Sequence, residues 1–373
     1  MNIGYDAKRI FHNTTGLGNY SRDLVRIMAN YYPQHQYFLY NPKPPKVQRL
    51  QLTENMHVKQ PVDFFSRLLP AVWRSKLIIN DLLDDKIDIY HGLSAELPTG
   101  IEKTGIKSVV TIHDLIFVRY PRLYKAIDRK IYLKKFLKAV HAADKVVAIS
   151  HQTQKDIEEL APAVAGKIEV IYQGCHQAFK KDYSDDFKQK VLQKYNLPEN
   201  FLLNVGTIEP RKNVFSIVKA IEPTAYHLVL VGRPTPYAEK IKKFVAENNM
   251  QNRVHFLQAL SLDELAVLYR KAKIFIYPSL YEGFGIPIIE ALYSRTPVIT
   301  NRHGVFSEAA GPHSFYLDDV EKPVEMRKLI EKVLRENVSE QVGQSYEFVQ
   351  KFNDDKIASQ WTALYQNLLS SET

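Results

Sequence analysis

Two glutamates, Glu282 and Glu290, bracket two glycines and a proline in YPSLYEGFGIPIIEAL, residues 277–292, where a loop gives way to a helix. Pro287 suits the first helical turn, because its missing N–H has no partner there anyway. Gly283 and Gly285 leave the backbone ahead of it bare, so a phosphate can reach its N–H groups at a helix N-terminus. Glu290 then falls within the first turn and Glu282 in the loop. Carboxylates accept paired hydroxyls, which ribose and hexose both offer. A plainer reading has Glu290 complementing the helix dipole, worth ~0.3–1 kcal/mol. That reading does not explain Glu282, the glycines and the cations described next.

Three further stretches place reactive residue types just after apolar runs. In LNVGTIEPRKN, residues 203–213, Gly206 ends a strand-like run, and Arg211 and Lys212 stand beside a helix start with Asn213 as a candidate cap. Cations are poorly placed at the positive end of a helix dipole. An anionic ligand resolves the conflict, and a forked arginine with a point-charge lysine suits a diphosphate. In SVVTIHDL, residues 108–115, His113 and Asp114 follow a buried run. Either His113 orients a hydroxyl in a cleft, or Asp114 is an N-cap with an incidental histidine beside it. In HNTTGLGNYSRDL, residues 12–24, Gly16 and Gly18 flank a turn ahead of a helix expected from about Asn19. A dinucleotide fingerprint fails here: Ser21 replaces the third glycine, and the next strand ends in Asn41 instead of an acid. A tight turn and a close approach by a ligand phosphate or acceptor stay open as readings.

These residues need elements to position them, and the chain supplies a regular alternation of short apolar strands and helices. NIGYD, QYFLY, IDIYH, SVVTIHD, KVVAIS and KIEVIY form a first series; FLLNVG, HLVLVG, RVHFLQ, KIFIYPS, TPVITN and SFYLDD form a second. That is the pattern of open parallel α/β sheets, whose ligands bind beyond the carboxyl ends of the strands. With 373 residues the chain exceeds one ordinary core. Two doubly wound domains are expected, at 1–173 and 199–353, joined by a polar linker over 174–198 that ends in Leu-Pro. The last amphipathic stretch, 354–373, is expected to return to the first domain. Hydrophobic residues make up 45% and charged residues 24%, as in an ordinary globular protein. One cysteine, Cys175, excludes an internal disulfide framework and fits a reducing compartment. No Cys/His spacing suggests a metal, no apolar run reaches the ~18 residues of a membrane span, and because MNIGYDA opens on a strand-like run no signal peptide is expected. A cytoplasmic protein is expected.

Charge is distributed unevenly. Residues 1–190 hold 29 Lys/Arg against 20 Asp/Glu, and residues 191–373 hold 21 of each, so the first half carries the whole excess of +9. Much of it crowds 119–138, in a segment whose apolar members Ile127, Ile131, Leu133, Phe136, Leu137 and Val140 recur at roughly helical spacing. A basic amphipathic helix over 124–141 follows. Its polar face is either simply solvated or set against an anionic lipid or acceptor surface. Nucleic acid is not expected, because aromatic and basic residues do not interleave into a stacking platform.

FIYPSLYEGFGIPIIEALYSRTPVITN resembles the Glu-x7-Glu signature of the retaining family-4 glycosyltransferases with the GT-B fold, and NVGTIEPRKN, VVTIHDL and GLGNYS match that family's other landmarks in order. The resemblance covers nearly the whole chain. It implies two Rossmann-like domains facing across a cleft that closes over a nucleotide-diphosphate sugar, linked to GDP or UDP. It implies further that Glu290 holds the ribose, Glu282 the donor sugar, and Arg211 and Lys212 the diphosphate. Gly283, Phe284 and Gly285 would present backbone donors, His113 would contact a sugar hydroxyl, and Gly18 would lie near donor phosphate or acceptor. Three positions depart from the pattern: Thr207 stands where many members have arginine, Arg295 where a glycine usually follows the signature helix, and Gln258 where a glycine often borders the base.

The chemistry so implied is transfer of a hexosyl unit with retention, to a glycan or lipid-linked acceptor in surface polysaccharide synthesis, with mannose as a lead. Charge developing on the departing diphosphate must be stabilised. Lys212, Arg211 and a helix N-terminus can do so without a metal, and no Asp-x-Asp triplet occurs. No second carboxylate is evident as a nucleophile, so front-face attack is expected. Two rivals stand beside it: a nucleotide-sugar epimerase or hydrolase of similar architecture, which binds the same donor but needs an acid/base pair, and a non-catalytic basic module at a membrane surface.

Overall fold

The computed structural model describes residues 1–370 and divides into two compact units. Unit 1 comprises Met1–Gly174 together with the chain from Phe352 onward, and unit 2 comprises Cys175–Lys351. In unit 1 the strands are β1 (Asn2–Asp6), β2 (Gln36–Tyr40), β3 (Met56–Lys59), β4 (Ile89–Gly92), β5 (Lys107–Ile112), β6 (Lys145–Ala148) and β7 (Ile168–Val170). All pairs are parallel, in the order β3-β2-β1-β4-β5-β6-β7. In unit 2, β8 (Leu202–Val205), β9 (Leu228–Val231), β10 (Val254–Leu257), β11 (Ile274–Tyr277), β12 (Val298–Asn301) and β13 (Phe315–Leu317) pair in parallel as β10-β9-β8-β11-β12-β13. Helices connect most strands of each sheet, as parallel pairing requires.

Most strands lie where apolar runs place them; β3 is the exception. Its sequence, MHVK, alternates polar and apolar residues at a sheet edge, and only Met56 is buried. The stretch 174–198 is not a free linker. Ala178, Phe179, Val191 and Leu192 are buried, and the helices Asp185–Lys194 and Leu262–Lys271 pack together, with Tyr183 donating to Asp263 at 2.6 Å. Apolar residues hidden in a polar stretch tie it to unit 2.

The helix Asp354–Ser370 belongs to unit 1; residues 371–373 of the expected element lie outside the described residues. Trp361 and Tyr365 are buried in the core built on β1, β2 and the helix Gly16–Tyr31. The helix is held by Arg26–Asp354 at 2.9 Å and by the Tyr365 hydroxyl, 2.8 Å from His91 Nδ1. Among the described residues no helix is long and apolar enough to cross a membrane.

Candidate active site

In unit 2, β8 and β11 are neighbours from which the sheet order runs outward in opposite senses, so a crevice opens beyond their carboxyl ends. Two loops meet there. After β8, Gly206 adopts φ +147, and a Cβ placed on it would lie 3.6 Å from the Lys212 side chain, so the backbone passes close to that lysine. The turn Pro210–Lys212 follows, and Asn213, at the head of the helix Val214–Ile221, takes a left-handed conformation with φ +52. Asn213 does not cap that helix with its side chain; it donates to the Val320 carbonyl at 2.8 Å and accepts from Ser216 at 2.7 Å. After β11, the loop through Ser279 and Glu282 is tied back by Leu280 N–H donating to the Arg211 carbonyl at 2.9 Å.

Three donors converge on one carboxylate oxygen. Lys212 Nζ lies 2.6 Å, Arg211 Nη1 2.9 Å and Ser279 Oγ 2.6 Å from Glu282 Oε1. Lys212 also donates to the Tyr277 hydroxyl at 2.6 Å, and Arg211 pairs with Glu209 at 2.6 Å and donates to the Tyr281 carbonyl. Within the protein, Glu282 is the anion shared by the two cations, and Glu209 is a second partner of Arg211. Burial pushes the Glu282 carboxyl up, but Lys212 and Arg211 outweigh it and hold it at about 2. Lys212 is drawn below its ordinary value by burial, with Glu282 opposing. Arg211 is raised, the pull of Glu282 and Glu209 overcoming burial. Glu282 and Arg211 are ionised at neutral pH.

The signature helix runs Ile286–Tyr293, and Gly285 caps it with φ +122, a conformation that side chains disfavour. Pro287 sits in its first turn as expected. Glu290 does not: it is the fifth residue, beyond the first turn, which weakens the helix-dipole reading because that effect fades within a turn. The Tyr269 hydroxyl donates to Glu290 Oε2 at 2.9 Å and fixes the carboxylate. Phe284 is buried.

His113, Gly16 and Gly18 belong to unit 1. His113 follows β5 and places Nε2 2.9 Å from the Leu93 carbonyl, while its ring stands edge-on to Tyr20 at 4.5 Å. Only an Nε2–H tautomer satisfies that carbonyl, which leaves Nδ1 as an acceptor for a hydroxyl. Burial draws His113 down to about 4, against the Leu93 hydrogen bond, so the ring is neutral at pH 7. Asp114 accepts from Ile116 N–H at 3.1 Å, a local turn role.

The helix expected near Asn19 begins at Gly16. Gly18 N–H is spent on the Thr15 carbonyl at 2.9 Å, and a Cβ there would meet the Asn13 carbonyl at 2.1 Å. That contact accounts for Gly18 by the chain's own close approach, whereas Gly16 faces open space. The basic helix runs Ala126–Ala142, and part of its region is committed internally: Arg119 pairs with Asp156 and Glu159, and Lys135 with Glu96.

Sequence reasoning missed Tyr277, Ser279, Glu209 and Tyr269. The first three lie inside the stretches it singled out. Tyr269 carries no such signal, because only the packing of its helix brings it to Glu290.

Two carboxylates and paired cations at a switch point suit a phosphorylated, polyhydroxylated ligand, and comparison with known proteins gives the class. Residues 14–178 match the family model described as Glycosyltransferase Family 4, and residues 185–347 the one described as Glycosyl transferases group 1. The chain belongs to the family-4 glycosyltransferases, and its two parallel-sheet units are the Rossmann-like pair of the GT-B fold. It is 33% identical over 212 residues to the O-antigen chain mannosyltransferase RfbU of Salmonella typhimurium, a match spanning 56% of each chain. With the O-antigen chain mannosyltransferase B of Escherichia coli it shares 27% identity over 341 residues, 85% of this chain and 87% of that one. The solved sucrose-phosphate synthase of Thermosynechococcus elongatus matches in fold with a TM-score of 0.81 over 100% of both chains, at 20% identity.

Proposed function

We propose that the protein is a retaining, metal-independent hexosyltransferase that moves a mannosyl unit from a nucleotide-diphosphate sugar to a glycan or lipid-linked acceptor in surface polysaccharide synthesis. The observation that carries this reading is the convergence of Lys212, Arg211 and Glu282 at the β8/β11 carboxyl edge. The two O-antigen mannosyltransferases among its relatives favour mannose. GDP is the first candidate for the nucleotide and UDP the second.

Lys212 and Arg211 bind the diphosphate, supplying the positive charge that a divalent cation would otherwise bring. With Thr207 in place of arginine, this task falls to them alone in that loop. Glu290, fixed by Tyr269, accepts the ribose hydroxyls, and Glu282 accepts hydroxyls of the donor sugar. Gly283, Phe284 and Gly285 offer backbone N–H groups at the helix N-terminus. His113 Nδ1 accepts a sugar hydroxyl proton, and the turn at Gly16 and Gly18 borders the acceptor. The anomeric C–O bond to the diphosphate breaks through an oxocarbenium-like state. The acceptor oxygen bonds to the same face of that carbon, and its proton passes to the departing phosphate oxygen.

The cations of 119–138 not engaged in ion pairs, among them the exposed Lys130 and Lys134, set unit 1 against an anionic membrane surface where a lipid-linked acceptor resides. A panel of GDP-, UDP- and ADP-sugars with a lipid-linked glycan acceptor, read by NMR of the product anomer, tests the proposal. Transfer with the donor's own anomeric configuration is expected. Epimerised or free sugar from the donor alone, without transfer, would replace it with one of the rivals.

A further inference from the structure

Beyond β3 the chain runs PVDFFSRLLPAV, and this stretch breaks the usual rule for burial. Phe64 is 73% and Phe65 71% exposed, and Leu68 and Leu69 are exposed beside them. Soluble surfaces rarely gather large apolar side chains in one place without a partner. The segment is nevertheless folded: Asp63 caps the helix Phe64–Leu68 by accepting from Ser66 N–H at 2.9 Å, and the two phenylalanine rings lie edge to face at 5.8 Å. Its continuation is anchored. Trp73 is buried and donates to Asp81 at 2.7 Å, and Arg74 donates through Nε to Asp6 at 2.9 Å.

The same anchor joins this segment to the basic helix Ala126–Ala142. Glu96 accepts from both Arg74 and Lys135, and Thr99 both donates to the Ser75 carbonyl at 2.8 Å and accepts from Lys138. On that helix Ile127 is 73% exposed and Ile131 46%, one turn apart, with the exposed Lys130 and Lys134 at the same helical spacing. Residues 61–77 carry Arg67, Arg74 and Lys76 against Asp63 alone, and Asp63 is spent on its cap.

We infer that Phe64, Phe65, Leu68 and Leu69 form a wedge that enters the interfacial layer of an anionic bilayer, next to the cations of the helix Ala126–Ala142. The inference rests on the reading that unit 1 works at a membrane surface, and it names the element that inserts. Charge decides the occupant. A second copy packed face to face would set these cations against one another, whereas phospholipid headgroups neutralise them while acyl chains take up the phenylalanines.

The test uses the full chain and vesicles of phosphatidylcholine alone or mixed with phosphatidylglycerol. Sedimentation with the mixed vesicles is expected. F64S/F65S should weaken it about 10- to 100-fold, with donor binding unchanged. In a Phe64→Trp variant, emission should shift to the blue and be quenched by brominated acyl chains. If F64S/F65S binds like the parent while K130E/K134E does not, the wedge is overturned and the charged surface stands. If neither vesicle binds the parent, both fall. A parent dimer that F64S/F65S converts to monomer, without vesicle binding, would assign the patch to self-association and overturn the wedge.

Discussion

Glu282 Oε1 accepts from a lysine, an arginine and a serine at once, so each member of the cluster depends on the others. Lys212 is the group best placed to meet charge that grows on a departing phosphate. Lys212→Ala should lower turnover ~10²- to 10³-fold, the loss typical of removing one preorganised donor. Arg211 and Ser279 remain on Glu282, so the melting temperature should move far less than the rate. Steady-state transfer assays beside thermal melts decide this, and unchanged turnover would remove Lys212 from the mechanism. Glu282→Gln acts in the opposite order. It leaves two largely buried cations with, among the described residues, Glu209 on Arg211 as the remaining ion pair, and breaking such a pair costs ~3–5 kcal/mol. Because the folded carboxyl is held at about 2, below its unfolded value, its contribution is complete above pH 4.5 and fades as pH falls toward 2. Urea titrations should therefore show the gap between parent and variant narrowing over that window. A gap independent of pH would mean that the ion pairs do not stabilise the fold.

Elements carry these residues, and the elements differ in how plainly the sequence announces them. The central strands β9 and β11 are continuous apolar runs and β8 is broken only by Asn204, and the loops after β8 and β11 bear glycine, proline and charge, so their meeting point was readable from spacing and the doubly wound pattern. Edge strand β3 was not, because its polar and apolar residues alternate, and Tyr269 was not, because its partner is set by helix packing. Arg295 shows another limit. It takes φ +56, the conformation of the glycine usual in that turn, and its guanidinium lies over the Tyr346 ring at 3.7 Å, a compensation visible only in three dimensions. The C-terminal helix has a similar hidden role. Through Tyr365 it reaches His91, whose other nitrogen lies 2.8 Å from Thr111 Oγ1, which in turn meets Tyr20 at 3.2 Å beneath the His113 ring. His91 is fully buried, and burial draws it down to about 3. Between that value and the unfolded 6.5 the unfolded chain binds more protons, so stability falls as pH drops, by about 1.4 kcal/mol per pH unit. Chemical denaturation of parent and His91→Gln at pH 7 and pH 5 checks this: the parent should lose stability on acidification and the variant markedly less. Equal losses would place the acid sensitivity elsewhere.

At the scale of the whole molecule, each unit has its own hydrophobic core, and the chain passes from one unit to the other at 174/175 and at 351/352. Separate cores should melt separately, which lets a ligand report where it binds. Removing residues 354–373 strips Trp361 and Tyr365 from the unit 1 core, so the calorimetric transition that drops or vanishes in that variant belongs to unit 1. Lys212, Arg211, Glu282 and Glu290 all lie in unit 2. A nucleotide-diphosphate sugar held by them should raise the other transition. At a concentration 100 times Kd the linkage is about 2.7 kcal/mol, or roughly 5–10 °C for a unit of this size. GDP-mannose, UDP-glucose and ADP-glucose compared at equal concentration would rank the nucleotides. The Lys212→Ala variant should lose most of the shift, because the diphosphate carries most of the ligand's charge. A shift confined to the unit 1 transition would place the donor in the wrong unit and overturn the assignment of all four residues together.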